Sequence, residues 1–422
     1  MTNAKIDHRM GSRGRVGVGM SVLLLALAGC TSGDDTADTS SSAPPTRSGS
    51  ASANGAGEKQ ELTPLLMNVR DAPIPFQGSD GETHLVYELE LTNFSSGTLD
   101  VERVEVLGET GTTLQSLDAS AVAGRLQPAG LRTPTGTMAA STQALLFLNV
   151  TLPKGSATPQ GISHRITVQA AAAPPGQQNR IIEGDKIEVD TDAKVVLVGP
   201  PLRGTNYISA DSCCDATRHT RAALPVNNRV WVTQRFAVDW EQLNSEGRIY
   251  SGPREDPKSY AIYGEEAIAV TDATVVSTVD GLLEQTPGKF PTDISVEQAD
   301  GNAVILDLGG GRYALYAHMQ PGSLRVKQGD KVKRGDVLGL VGNTGNSLAP
   351  HLHFHVMDGP DSLASNGLPY LIDEFQITAR GTGTEAFDVA EAQGTPLPKT
   401  EVSPPEQISD SLPLDQLIIS FE

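Results

Sequence analysis

The first part of the chain alternates apolar and polar residues in short runs that turn-forming residues separate. The alternation is clearest over residues 84–92 (HLVYELELT), 145–152 (LLFLNVTL) and 164–169 (HRITVQ). Successive side chains of a β-strand point to opposite faces, so this pattern predicts strands with one buried face. Several strands of this length at short intervals are typical of a β-sandwich, most simply an immunoglobulin-like one. We therefore predict an all-β sandwich domain over residues 61–199.

Residues 200–383 show a second β pattern, in which glycines interrupt short apolar runs. Two extended runs meet at Asn227-Asn228, a pair that tolerates positive φ and suits a tight hairpin turn. Another hairpin is predicted over residues 304–317, around three consecutive glycines. Glycines between residues 329 and 345 indicate sharp corners in a small folded sheet. We predict a second, compact β domain here, so the fold class of the whole chain is all-β.

One predicted strand in this second domain carries three histidines. His351, His353 and His355 occupy every second position of the run 350–356 (PHLHFHV), so their side chains leave the strand on the same side. Histidine is the commonest zinc ligand and titrates near neutral pH. A solvated face with incidental histidines is the simpler alternative, but the whole chain has only eight histidines. The pattern therefore favours a hydrolytic metal centre.

The N-terminus predicts export and a lipid anchor. Arg13 and Arg15 precede a mostly apolar run over residues 16–28, which is too short to span a bilayer but suits a secretory signal. The run ends in Leu27-Ala-Gly-Cys30, which resembles the signal of a bacterial lipoprotein. This resemblance implies that residues 1–29 are removed and that Cys30 is lipidated. We therefore expect a protein of the cell envelope that acyl chains hold to a membrane.

Two segments are predicted to lie outside the domains. Residues 30–60 are rich in Ser, Thr, Ala, Gly and Asp and cannot bury enough apolar surface to fold, so we expect a disordered tether. Residues 384–422 are predicted to form an extended tail. Its apolar end, residues 412–421, is expected to dock as a terminal edge strand.

Charge and cysteine content narrow the choice of partners. A formal net charge of −19 argues against nucleic acid and against anionic lipid bound through bulk charge, although a local groove can differ from the mean. Apart from Cys30, the cysteines are the adjacent pair Cys213 and Cys214. These two cysteines either form a vicinal disulfide or bind a metal together with His219. We favour a structural role, because the chain has no second pair of cysteines to complete a thiolate metal site.

Five segments of the second domain resemble, in order, the lysostaphin and LytM type of zinc endopeptidase. The match covers about residues 229–375 and includes YAHM (316–319), GDKV (329–332), GDVLG (335–339), GNTG (342–345) and PHLHF (350–354). The resemblance implies a compact β core, one Zn²⁺ ion, and hydrolysis of peptide bonds in the cross-bridges or stems of peptidoglycan. Peptidoglycan peptides are therefore the expected partners, and the sandwich domain is expected to contact a protein partner or to act as a spacer.

The resemblance also assigns residues. His353 and Asp239 match metal-binding positions, while His351 and His318 match the histidines that flank the zinc-bound water. The family's first metal-binding histidine lies four residues before the aspartate, and that position here is Arg235. An arginine stays charged in proteins and does not bind a cation. The site is therefore incomplete as aligned.

Three interpretations remain open from the sequence. In the first, another histidine completes an active site: His219, predicted on the strand before the Asn227-Asn228 turn and near Asp239, or His355 as the alternative. In the second, the protein has lost catalysis and binds wall peptides or regulates a hydrolase, with Arg235 paired to Asp239. In the third, the domain is a structural or adhesive module. Retention of Asp239 together with the matching histidines favours the enzyme.

Overall fold

The predicted alternation of the first domain appears as two antiparallel sheets. A computed structural model describes residues 62–184 and 186–421, so the predicted signal peptide, Cys30 and the tether lie outside the described residues. The strands of this part are β1 (Leu65–Val69), β2 (Phe76–Gln77), β3 (Thr83–Asn93), β4 (Leu99–Gly108), β5 (Thr113–Asp118), β6 (Leu126–Pro128), β7 (Thr137–Met138), β8 (Gln143–Leu152), β9 (Gly161–Ala170), β10 (Asn179–Glu183) and β11 (Ile187–Glu188).

One sheet has the order β1-β3-β8-β6 with β2 beside β3, and the other has the order β10-β9-β4-β5 with β7 and β11 at its margins. The inward residues of both sheets form one apolar core, which includes Leu89, Val104 and Ile166. A short helix, α1 (Ala119–Ala123), follows β5, and Asp118 accepts a hydrogen bond at its N-terminus. The predicted β-rich fold is thus confirmed, while the immunoglobulin-like assignment stays a prediction.

The remaining strands build a twelve-stranded sheet and two two-stranded sheets, the β14-β15 hairpin and the pair β17-β22. They are β12 (Val196–Val198), β13 (Gly204–Ala210), β14 (Leu224–Val226), β15 (Arg229–Trp231), β16 (Val238–Gln242), β17 (Glu266–Ile268), β18 (Ala273–Val279), β19 (Asn302–Gly309), β20 (Arg312–Met319), β21 (Lys331–Val332), β22 (Val337–Leu340), β23 (Leu352–Met357), β24 (Gly367–Leu368), β25 (Tyr370–Gly381), β26 (Lys399–Ser411) and β27 (Leu417–Phe421). Short 3₁₀ turns cover Pro257–Ser259 and Val296–Gln298, and α2 covers Thr384–Gln393.

The large sheet has the order β12-β25-β27-β13-β16-β23-β20-β19-β18-β21, so β13, β16, β23 and β20 are neighbours near its middle. Both predicted hairpins are present. β14 pairs with β15 across Asn227 and Asn228, whose φ angles are 51° and 62°, and β19 pairs with β20. Positive φ at both turn residues gives a turn whose twist matches that of the flanking strands.

The two β regions share part of their core. Phe76 and Val86 of the first region are buried in the same apolar cluster as Phe236 and Trp240 of the second, and the rings of Phe76 and Phe236 lie 5.3 Å apart, edge to face. β12 also joins the large sheet by pairing in parallel with β25. The domain boundary near residue 200 therefore remains a prediction.

The predicted extended tail is wrong in two respects. Residues 384–393 form helix α2, because Glu and Ala favour helix, and the helix ends at Gly394 in the left-handed conformation. The terminal strand β27 is not an edge strand, since it pairs with β13 on one side and β25 on the other. All five of its residues are buried, which requires a covered position inside the sheet. None of the helices in the described ranges has the length and apolar character needed to cross a membrane.

Candidate metal centre

Asp239 lies at the centre of a cluster of histidines on adjacent strands. It belongs to β16 and pairs directly with His353 of β23, which in turn pairs with Ala317 of β20. Directly opposite residues of an antiparallel pair point to the same face, so the register brings the two side chains together. The distance from His353 Nδ1 to Asp239 Oδ1 is 2.8 Å.

His219 reaches the same carboxylate from a loop. Its Nε2 lies 3.3 Å from Asp239 Oδ2, and its Nδ1 lies 2.8 Å from the carbonyl oxygen of Asp211. The prediction that His219 lies on a strand is wrong, since residues 217–221 form turns. Ion pairs within this segment, from Arg218 to Asp211 and from Arg221 to Asp215, stabilise the loop. The predicted proximity to Asp239 is nevertheless present.

Arg235 points away from this cluster. Its guanidinium forms a two-pronged ion pair with Glu88 of β3, at 2.9 Å from Nε and 2.5 Å from Nη2, and a longer contact of 3.6 Å with Asp71. Both Arg235 and Glu88 are buried. The interpretation that Arg235 pairs with Asp239 is therefore wrong, because the first β region supplies a better-matched carboxylate. The residue at the family's histidine position joins the two β regions instead.

His351 and His318 complete the cluster on the other side of Asp239. His351 Nε2 lies 3.3 Å from Asp239 Oδ1, and the rings of His318 and His351 are 4.6 Å apart. Each ring also contacts a backbone carbonyl through Nδ1 at 2.7 Å, His351 that of Ala349 and His318 that of Thr344. His318 has a φ of 64°, an uncommon conformation for a residue with a side chain and one that is concentrated at functional sites.

These carbonyl contacts fix the histidine tautomers. A carbonyl oxygen only accepts hydrogen bonds, so Nδ1 of His219, His351 and His318 must carry a proton. The neutral form of each ring therefore keeps its lone pair on Nε2. For His219 and His351 that atom lies 3.3 Å from an oxygen of Asp239, which also offers only lone pairs. A proton or a cation between these atoms removes the repulsion, so the donor set suits a metal ion.

His355 lies behind His353 rather than beside Asp239. Its Nδ1 is 3.0 Å from His353 Nε2, on the opposite side of the His353 ring from the Asp239 contact. His355 is 1% exposed, and its Nε2 has no hydrogen-bond partner among the described residues. This position suits a residue that orients His353 better than a residue that shares a ligand set with Asp239.

The charges of the cluster follow from burial and from Asp239. Burial opposes the charge on His219, but Asp239 and Asp211 outweigh it and raise the pKa of His219 to about 9. Burial likewise opposes the charge of Asp239, yet His219 and His351 hold the pKa of its carboxyl well below the usual range. Burial together with His351 lowers the pKa of His318 well below the ordinary value. His318 is thus a neutral ring beside a negative carboxylate.

Two sets of these side chains offer ligand atoms within 4.8 Å of one another: His219 with Asp239 and His353, and His318 with His351 and His353. Both sets open into a cavity of about 550 Å³. Residues of the first β region, Gln127 and Arg132, also line this cavity. The centre is therefore accessible to a ligand larger than a water molecule.

Sequence reasoning missed two carboxyl groups in this cavity, Glu241 and Glu391. Burial and the neighbouring carboxyl groups raise the pKa of Glu241 well above its ordinary value, and burial raises that of Glu391. Glu241 follows Asp239 by two positions, so strand alternation could have placed both on one face. Glu391 lies on α2, far along the chain, and no sequence signal connects it to the centre.

Cys213 and Cys214 are bonded to each other in the loop that leads to His219. Their sulfur atoms are thereby occupied, which excludes the alternative in which both thiolates bind a metal with His219. The backbone N–H of Ser212 donates to the Asp415 carboxylate at 3.2 Å, which connects this loop to the C-terminal segment.

The fold and the site together define a β-rich protein with a buried histidine–carboxylate centre of the kind that binds a metal. Residues 261–365 match Peptidase family M23. This part of the chain is an M23 peptidase domain, as the resemblance of the five segments predicts. The matched range contains His318, His351, His353 and His355, whereas His219 and Asp239 precede it.

Similar proteins include peptidoglycan endopeptidases. The chain is 40% identical over 189 residues to the peptidoglycan DD-endopeptidase ShyA of Vibrio cholerae, a match that covers 41% of this chain and 40% of ShyA. It is 37% identical over 87 residues to lysostaphin of Staphylococcus simulans, covering 20% of this chain and 17% of lysostaphin. The chain thus spans less than half the length of these relatives.

A solved structure of the lysostaphin catalytic domain from Staphylococcus simulans is also similar. The similarity has a TM-score of 0.21 and 21% identity and covers 39% of this chain and 86% of that domain.

Proposed function

We propose that the protein is a zinc metalloendopeptidase that hydrolyses peptide bonds in the cross-bridges or stems of peptidoglycan. The observation that carries this proposal is the position of His219, whose Nε2 lies 3.3 Å from Asp239 although the family's usual histidine position holds Arg235. A loop histidine thereby supplies the ligand that the sequence alignment lacks. The M23 domain and the peptidoglycan endopeptidases among its relatives support the reaction class.

In this proposal, His219 Nε2, an oxygen of Asp239 and His353 Nδ1 hold the zinc ion. When bound, zinc acts as a Lewis acid that polarises the scissile carbonyl and lowers the pKa of a water molecule. If His353 holds a cation through Nδ1, its proton must be on Nε2. This Nε2–H then donates a hydrogen bond to His355 Nδ1, which lies 3.0 Å away. Asp211 gives His219 the same kind of support through its carbonyl oxygen.

His318 and His351 handle the protons of the reaction. Both direct Nε2 into the cavity because Nδ1 donates to a backbone carbonyl. A neutral ring of this kind accepts a proton from the attacking water and returns it to the leaving amine. His351, beside Asp239, retains a proton more readily than His318, because Asp239 counters the effect of burial and raises the pKa of His351. His318 is therefore the ring that is free to accept a proton, and His351 is the ring that retains a proton to donate toward developing negative charge.

A second candidate function is a non-catalytic protein that binds wall peptides or regulates a hydrolase. Arg235 in place of the family's histidine favours it. The ion pair of Arg235 with Glu88 weakens this alternative, since the arginine has a structural partner and leaves the centre free.

We further propose that the protein acts in the cell envelope, held to a membrane through lipidated Cys30. This part of the proposal rests on the N-terminal sequence, and the wall-directed relatives are consistent with it.

The proposed function is tested by metal analysis and by digestion of the wall. Purified protein should contain one zinc per chain by mass spectrometry and should release soluble cross-link fragments from peptidoglycan. Chelation should stop the release, and added zinc should restore it. Failure to bind zinc at micromolar supply, with wall fragments left intact, would favour the non-catalytic alternative.

A further inference from the structure

Two carboxyl groups form an acidic wall beside the proposed zinc centre. Glu241 follows Asp239 by two positions in β16, so both side chains leave the sheet on the same side. Glu391 extends from α2, and both glutamates line the cavity into which the histidines open. The acidic wall, Glu241 with Glu391, is thus adjacent to the centre but separate from the proposed ligands.

Neither carboxyl group has an ion-pair or hydrogen-bond partner in the part of the chain that the structure describes. Among the described residues, the side chains of Glu241 and Glu391 form no ion pair and no hydrogen bond, and Glu241 Oε2 is fully buried although the residue lines the cavity. Glu241 is only 5% exposed. Burial of a carboxyl group without a hydrogen-bond partner costs free energy. A ligand that donates to such a group therefore gains more binding free energy than it would from an exposed carboxyl group.

Among the described residues, no neighbouring cation forms an ion pair with either carboxyl group. Arg218 lines the same cavity, but its guanidinium is held by Asp211 at 2.7 Å and by Asp388 at 2.7 Å. Arg254 acts on Glu391 through space and forms no ion pair with any described residue. Asp239, the other acid at the centre, is surrounded by histidines. Arg254, His351 and Arg218 therefore act on the acidic wall only through space, and none of the described cations forms an ion pair with it.

A primary ammonium group matches this wall. It is compact, carries a full positive charge and has three donors, which allows it to contact two carboxyl groups at once. The ring of Phe387 also lines the cavity and offers an apolar surface for the methylene stem of an amine. A strand rises about 3.3 Å per residue, so Glu241 lies roughly 7 Å along β16 from Asp239, the length of about two residues of an extended peptide.

We propose that Glu241 and Glu391 form a subsite for a primary ammonium group on a wall peptide, carried by the side chain about two residues from the scissile bond. This inference rests on the proposed peptidase function and adds a substrate class to it. The enzyme then prefers stems whose side-chain amine is free over stems in which that amine is cross-linked or acylated.

The test compares two synthetic wall-type pentapeptides with blocked N-termini. One has a single free amine, on the side chain two positions from the scissile bond, and the other has that amine acetylated. Binding is measured by calorimetry on the full chain with zinc supplied, in a His318→Ala background that prevents cleavage. We expect the amine peptide to bind about 10-fold or more tightly than the acetylated one, as for a hydrogen bond to a charged group.

Glu241→Gln and Glu391→Gln, made separately, should each weaken binding of the amine peptide toward that of the acetylated peptide and leave the latter unchanged. Glu385→Gln, on α2 but exposed, is the matched control and should preserve the preference. Equal binding of the two peptides by the parent protein, or a preference that survives both substitutions, overturns the subsite.

The fate of the proposed function is read separately, from cleavage of the same peptides by the chain with native His318. A binding preference without cleavage of either peptide supports the subsite and overturns the peptidase. Cleavage of both peptides, together with equal binding of the two, supports the peptidase and overturns the subsite.

Discussion

The replacement of His219 by alanine is the most informative perturbation of this protein. In the proposed site, His219 is the ligand that distinguishes a complete zinc centre from a degenerate one. Alanine removes Nε2, which lies 3.3 Å from Asp239, and leaves only Asp239 and His353 to hold the ion. It also removes the donor to the Asp211 carbonyl, but the backbone of the loop retains its other contacts. We therefore expect loss of zinc without unfolding.

The size of the effect follows from the number of ligands. Structural zinc sites with four protein ligands bind with about 10–16 kcal/mol, or about 2.5–4 kcal/mol per ligand. Loss of one ligand should thus weaken zinc binding by roughly 10² to 10³. The removal of an orienting partner such as His355, which contacts His353 at 3.0 Å, should cost only about 10- to 100-fold.

The assay is competition for zinc with a chelator of known affinity, supported by mass spectrometry of the protein as purified. His219→Ala and His355→Ala are compared with the wild type. His164→Ala serves as a control because His164 is also buried but hydrogen-bonds Tyr87 in the first β region. It should bind zinc as the wild type does.

The outcome that refutes this reasoning is a reversal of the two effects. If His219→Ala keeps the wild-type zinc affinity while His355→Ala loses zinc, His355 is the third ligand. The ring of His353 must then present Nε2 to the ion, and the contact of its Nδ1 with Asp239 is an ordinary hydrogen bond.

Three further predictions concern stability, proton transfer and localisation. Glu88→Gln should destabilise the protein by about 3–5 kcal/mol in urea unfolding, because it leaves the buried Arg235 with only its longer contact of 3.6 Å to Asp71. Replacement of both Glu88 and Arg235 by leucine should recover most of this loss, and a change under 1 kcal/mol in the single variant would contradict the assignment. His318→Ala should lower the rate of wall cleavage by roughly 10² to 10⁴ and leave the zinc content unchanged; a matching loss of zinc would make His318 a ligand. Cys30→Ala should release the protein from membranes or leave its signal uncut, and unchanged fractionation and processing would contradict a lipid anchor.

The arrangement of Arg235 and His219 suggests an exchange of roles between two positions. Arg235, at the family's histidine position, joins the first β region to the second through Glu88. His219 brings an imidazole to Asp239 from a loop instead. The position of a histidine on a loop depends on the contacts that hold that loop, here the Asp211 carbonyl and the ion pair of Arg218 with Asp211.

The sequence by itself determined the features that depend on neighbours along the chain. Strand alternation predicted the β-rich fold, and the Asn227-Asn228 pair predicted the turn between β14 and β15. Alternation also placed His351, His353 and His355 on one strand. In the structure, β23 contains His353 and His355, and His351 directly precedes it. These features follow from the two-residue period of a strand and from the backbone conformations that turn residues tolerate.

Only the tertiary structure decided which distant residues meet. His219 lies beside Asp239, and His355 does not, because of the path of the loop that carries His219, which the local sequence pattern does not specify. The partner of Arg235 is Glu88, 147 positions away, and Glu391 approaches the centre because α2 packs there. β27 became an interior strand between β13 and β25, and all five of its residues, four of them apolar, are buried. Contacts of this kind arise from the packing of whole elements, which the local pattern of the chain does not specify.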